Sequence, residues 1–136
     1  MLVILYAFQI QKLLKLQGSA VMDHNFGKDL FIPLTGKFYD LFDAGLKRSE
    51  LRLYGNRWNE KNCQVGRRVC LSRGYGKKDR MYGYISAFYR QRSDTFGSTY
   101  KAQIAEVYGE GVHWIARIDI VLDKFMKVGH GKENKV

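Results

Sequence analysis

The sequence predicts a small α+β domain, mainly β, in which a closed or half-closed barrel carries two flanking short helices. Three observations predict it. Apolar and polar residues alternate over residues 112–123, the two-residue period of a half-buried strand. Two shorter stretches carry the i, i+3, i+4 spacing of helices with one apolar face. The segments follow one another as strand, helix, strand, hairpin, helix, strand, and strands joined by hairpins and short helices favour a barrel over a parallel sheet. With 136 residues, 46% of them apolar, the chain has the length and core of one domain.

Residues 1–24 read as an N-terminal extension. Met1 to Ile10 is apolar but too short to span a bilayer. It lacks the charged start and small-residue cleavage site of an export signal. Either it lies as a helix on the domain or on a membrane surface, or it precedes the true start at Met22. The second is the expectation. The domain proper is expected over residues 25–126. Residues 127–136 are polar and aperiodic, the pattern of a disordered tail.

Leu30 to Leu34 reads as a short strand, with Pro33 favouring an edge. Thr35 can cap the helix that follows, whose Phe38, Leu41 and Phe42 share one face. Gly45 stands where a left-handed residue ends that helix. From Ser49 the period changes to two: Glu50, Arg52 and Tyr54 point one way, Leu51 and Leu53 the other. After a loop near residues 56–64, Val65 to Arg73 and Met81 to Tyr89 read as a hairpin with a basic tip. Ser98 can cap a second helix, its face made of Tyr100, Ile104, Val107 and Tyr108, and Gly109 ends it. In the last strand Val112, Trp114, Ala116, Ile118, Ile120 and Leu122 form the core face.

Charge is unevenly spread. The chain carries a net +10, and residues 47–92 alone hold thirteen Lys or Arg against three acids, so the rest sums to zero. Such concentration points to a polyanionic partner, against the simpler reading of a solvated basic surface. Cys63 and Cys70 are expected as reduced thiols in a cytoplasmic protein. The three scattered histidines suggest no metal site. No nucleophilic triad, Walker motif or dinucleotide fingerprint is present. No cofactor and no stable membrane insertion are expected.

One run carries chemistry. Gly45-Leu46-Lys47-Arg48-Ser49-Glu50-Leu51-Arg52 places two cations and a carboxylate around a helix-to-strand junction. As G-x-K-x-x-E-x-R it resembles the signature of the ASCH family, small β-barrels of the PUA-like superfamily. Val65-Gly66, which opens the next strand, and the strand Tyr82-Gly83-Tyr84-Ile85-Ser86-Ala87 extend the resemblance to roughly residues 30–123. Arg67 departs from it, since the family often has aspartate there. The resemblance implies a PUA-like fold with the motif lining a cleft beside the barrel, and an RNA-binding or RNA-modifying role. Some members are described as ribonucleases, others as hydrolases of N4-acetylcytidine. In those hydrolases a threonine, thought to act with the motif lysine, stands where this chain has Glu50. The match is therefore to Lys47 alone.

The residues themselves allow two roles at most positions. Lys47 can contact a phosphate or act as a base, or complement the dipole at the end of a helix. Glu50 can activate a water or hydroxyl, or hold the two cations in an ion pair. Lys47 and Glu50 are thus the candidate catalytic pair. Arg52 can grip phosphate at two points, with Arg57 and Arg68 adding charge. Tyr54, Trp58, Tyr82 and Tyr84 are candidate stacking platforms or ordinary strand packing. Arg67, Arg73, Lys77, Lys78 and Arg80 form a basic rim that steers phosphates without reading sequence. The expectation is an RNA-binding domain that holds single-stranded RNA or a nucleoside. The alternatives are an RNA-processing enzyme (a ribonuclease or a hydrolase of a modified nucleoside) and a non-enzymatic protein-interaction module.

Overall fold

The computed structural model describes residues 27–126; the expectations for residues 1–24 and 127–136 lie outside the described residues. The elements run β1 (Leu30–Leu34), α1 (Gly36–Asp43), β2 (Ser49–Leu53), β3 (Arg68–Arg73), β4 (Arg80–Arg92), a 3-10 turn (Ser93–Thr95), α2 (Ser98–Tyr108) and β5 (Trp114–Leu122). The expected order of strands and helices therefore holds. The five strands form one mixed, curled sheet, a half-barrel, in the order β1-β3-β4-β5-β2. β1 pairs with β3 in parallel, and the other pairs are antiparallel.

Leu30, Ile32, Leu34, Val69, Leu71, Ile85, Ile118 and Ile120 fill the concave side, and α1 inserts Tyr39 and Phe42 among them. A second, smaller core lies across β2, where Ile104 of α2 meets Leu51, Phe96 and Ile115. Cys63 and Cys70 are free and buried. Among the described residues no helix is long and apolar enough to cross a membrane, and no cluster of side chains has metal-binding form.

Several boundaries differ from expectation. Val65 to Arg67 is not strand; it approaches β4 through a turn in which Gly66 N donates to Ile85 O at 2.8 Å and Ile85 N to Arg67 O at 3.0 Å. Gly97, not Ser98, caps α2, and no side chain caps it. Val112 precedes β5 and is 57% exposed, as Trp114 is by 46%, so the core face of β5 begins only at Ala116.

A β-bulge at Ser86 settles the face of the tyrosines. The β4–β5 register slips between Ile85 and Ala87, so Ile85 and Phe88 both face the core although they are three residues apart. A bulge inserts one unpaired residue and reverses the alternation beyond it. Tyr82 and Tyr84 therefore lie on the convex side, opposite Val69, Leu71 and Ile85.

Candidate functional site

The site begins with the end of α1. Leu46 N and Lys47 N both donate to Leu41 O, at 2.9 and 3.1 Å, and Gly45 N donates to Phe42 O at 3.0 Å. This is a Schellman closure, which requires a left-handed residue, and Gly45 supplies it at φ +77°. A Cβ there would also stand 3.2 Å from the Phe125 ring. The chain thus turns sharply and carries Lys47 inward, against the aromatic side chains of α1. Its ammonium lies 4.9 Å from the Phe38 ring centre and 5.5 Å from that of Phe42.

β2 then delivers the other two charges. Glu50 and Arg52 share the face that looks toward Ile118 and Ala116 of β5. Arg52 Nε donates to Glu50 Oε2 at 2.7 Å, and Lys47 Nζ stands 3.7 Å from Glu50 Oε1. Lys47 Nζ donates to Ser49 O at 2.6 Å. The side chains of Lys47 and Glu50 are each only 7% exposed. Burial pulls the Lys47 pKa below its ordinary value; Glu50 opposes that shift and Arg52 adds to it. Two cations and one carboxylate leave a net single positive charge in a poorly hydrated place. Buried charge of that kind is costly unless something compensates it.

These three residues form the floor of a cleft of about 210 Å³ over the free edge of β2. One wall is Pro33, Leu34, Thr35 and Phe38; the other is Gln103, Ile104, Val107 and Tyr108 of α2. Tyr108 fixes α2 to the strand by donating from its hydroxyl to Leu51 O at 3.0 Å. Sequence reasoning assigned the apolar residues of α2 to the core and missed its part in the cleft. Val107, 56% exposed on an otherwise apolar stripe, is a core-type residue left open over the cleft.

Arg52 and Arg57 also close the gap between the two ends of the sheet. Arg52 Nη2 donates to Pro33 O at 2.5 Å, and Arg57 Nη2 to Phe31 O at 3.2 Å. The two guanidiniums lie 4.9 and 5.0 Å from the Trp58 ring. Trp58 thus packs between cations at the seam.

The remaining candidates are distributed around the cleft, not within it. Tyr54 donates to Glu60 and lies 4.5 Å under the Arg90 guanidinium. Arg73 spans Asp40 and Asp79, at 2.7 and 3.1 Å, with Tyr39 beneath it. Its contacts hold the β3–β4 hairpin against α1, and Gly74 N donates to Leu34 O at 2.8 Å; Lys77 and Lys78 belong to the turn that follows, and Arg80 opens β4. Arg80 rests on Phe31 at 5.3 Å. Lys77 and Lys78 are exposed and carry no ion pair among the described residues. Arg67 ties the loop to Asn62 and Lys28 carbonyls. Arg68 makes a two-point pair with Asp123 at 2.9 and 2.8 Å and covers Tyr84 at 4.6 Å. With Tyr82 it belongs to the convex side, and the structure does not bring that group to the cleft. Comparison with protein families, curated proteins and solved structures returns no match to the chain.

Proposed function

We propose that the protein is an ASCH/PUA-like domain that binds RNA and seats one unstacked nucleotide in the cleft of Lys47, Glu50 and Arg52. The observation that carries this reading is the uncompensated positive charge on the floor of an apolar-walled cleft. An anionic ligand neutralises it where water cannot. The resemblance to ASCH domains implies a motif lining a cleft beside the barrel, and the motif residues do line one.

Size argues for a small group. Pockets for drug-sized ligands run from about 300 Å³ upward, and this cleft is smaller. A single base or ribose phosphate fits that scale, with the rest of a strand outside. Glu50 Oε1, 3.7 Å from Lys47, is beyond hydrogen-bond length and can accept from a base edge. The hairpin tip with Lys77, Lys78 and Arg80 adds sequence-independent attraction for the backbone.

A second reading is hydrolysis of a modified nucleoside. It is favoured by the burial-lowered pKa of Lys47, since an amine that loses its proton more readily is a better base.

Fluorescence anisotropy of a labelled single-stranded RNA, across several salt concentrations, tests the binding. Wild type is expected to bind with a steep salt dependence, and Lys47→Ala to weaken binding by about tenfold or more. Binding indifferent to Lys47 would remove the cleft from the interaction. Turnover of a modified nucleoside that Lys47→Ala abolishes would select the enzyme.

A further inference from the structure

The strand that carries the motif has a second side. Lys47 and Glu50 turn toward the cleft, while Ser49 turns to the convex face, with Arg48 beside it. There Arg48, Ser49, Ser86, Arg117 and Asp119 line a notch of about 200 Å³. Three strands meet at it: the start of β2, the bulge of β4 and the middle of β5. We propose that this notch is an oxyanion site that takes a phosphate group.

The argument rests on how the donors are held. Asp119 Oδ1 accepts from Ser49 Oγ at 2.6 Å and from Arg117 Nε at 3.1 Å. The carboxylate thus engages one edge of the Arg117 guanidinium. The two terminal amines have no acceptor among the described residues, and the side chain is steadied against the Tyr89 ring at 5.2 Å. A guanidinium fixed in this way presents a fork matched to two oxygens of a phosphate. Arg48 lines the same notch, is exposed and has no ion pair among the described residues. Two guanidiniums against one carboxylate leave a net positive charge.

Ser86 supplies the second observation. It is the extra residue of the bulge between Ile85 and Ala87, and it also lines the notch. A bulge interrupts the ladder and re-aims a side chain; here the chain spends that interruption beside two arginines. Its hydroxyl can donate to the same anion.

The site does not depend on what the cleft binds, and the test separates them. The full chain, labelled with ¹⁵N, is titrated with inorganic phosphate at constant ionic strength. Wild type is expected to show saturable shifts at the amides of Ser49, Ser86 and Arg117, and Lys47→Ala, whose lost bond to Ser49 O alters that amide directly, is expected to keep the same affinity read at Ser86 and Arg117. The double variant Arg48→Gln, Arg117→Gln is expected to lose about tenfold or more in affinity, with dispersed resonances as the check on folding. Should the double variant fail to fold, Arg48→Gln alone is expected to weaken the shifts, since the Arg48 side chain holds no other residue in place among the described residues and its backbone bond with Ile120 survives the change. Linear, unsaturable shifts, or shifts unchanged by these substitutions, overturn the proposal. A short single-stranded RNA added to Lys47→Ala identifies the source of the phosphate. Movement of the same amides makes it a strand phosphate, and their silence makes it a free phosphate or monoester.

Discussion

Arg52 of β2 donates to the carbonyl of Pro33 in β1 at 2.5 Å, joining the two strands that stand at opposite ends of the sheet order. The half-barrel is therefore closed at this seam by side chains. Pro33 suits the place, since a strand edge is where a residue without N–H costs no ladder bond. Arg52 reaches Glu50, Pro33 and Trp58 together. An ammonium is a single point charge and cannot make all three contacts. Arg52→Lys is expected to destabilise the protein by about 2 kcal/mol, the scale of a hydrogen bond to a charged group. Amide exchange should quicken in β1 and β2 first. Denaturant unfolding with native-state exchange measures both; unaltered exchange at these strands would show that the seam closes by other means.

The two buried ionisable partners should respond oppositely to substitution. Glu50 keeps Arg52 at 2.7 Å when Lys47 is removed, so Lys47→Met leaves no orphan carboxylate. Its stability is expected within about 1 kcal/mol of wild type, or above it, because burying an apolar chain avoids the cost of a buried charge. Glu50→Gln leaves two cations facing each other without a counter-charge, and about 3 kcal/mol is expected to be lost. Equal losses at both positions would mean that Lys47 and Glu50 act as a closed pair and that the excess charge is otherwise compensated.

The sign of the pH dependence follows from Lys47. Burial lowers its pKa in the folded state below the ordinary 10.5. Between the lowered value and 10.5 the unfolded chain holds more protons than the folded one. Stability contributed by this group therefore rises with pH through that window. Cys63, pushed up to about 11 by burial, acts the other way: above its ordinary range the unfolded thiol ionises first and stability falls. Denaturation of wild type and Lys47→Met between pH 7 and about 10 isolates the lysine. The advantage of the methionine variant is expected to shrink as pH rises; an advantage that grows would reverse the assignment.

The legibility of this fold has a physical boundary. The element order was readable because each strand or helix declares its own period over a few residues. The junction was readable because Gly45 at φ +77° is a requirement that one residue type meets. The strand order β1-β3-β4-β5-β2 depends on pairings distant in sequence, which no local period records. Ser86 hides the sheet face for a related reason: serine fits an exposed strand as well as a bulge, and strict alternation without the bulge would put Phe88 on the face of Tyr82. α2 hides the cleft wall, since an apolar stripe facing a cleft and one facing a core have the same spacing.

Gly83 is a position where one methyl group should matter. A Cβ there would overlap the Val121 carbonyl oxygen and stand 3.0 Å from Leu122 Cα, both of them backbone. The strands β4 and β5 would have to part. Gly83→Ala is expected to cost about 2 kcal/mol, whereas Gly55→Ala, with nothing within 4 Å of its added carbon, should be near neutral. Thermal unfolding compares the two, and a tolerated Gly83→Ala would mean that the β4–β5 pair relaxes more easily than a packed sheet does.

The basic hairpin separates charges that are already spoken for from charges that are not. Arg73 is held by Asp40 and Asp79, so its charge is largely balanced before any ligand arrives. Lys77 and Lys78 are exposed without an ion pair among the described residues, and they are the ones that can release counterions from a strand. For single-stranded nucleic acid each neutralised phosphate contributes about 0.7 to the slope of log affinity against log salt. The double change Lys77→Ala, Lys78→Ala is therefore expected to reduce the slope by about 1.4 and to weaken all sequences alike. Arg73→Ala is expected to leave the slope nearly unchanged while loosening the hairpin from α1. A salt series on two RNA sequences reads both effects. If the lysine variant altered preference between the sequences, the tip would be reading bases, and its role as a rim would be wrong.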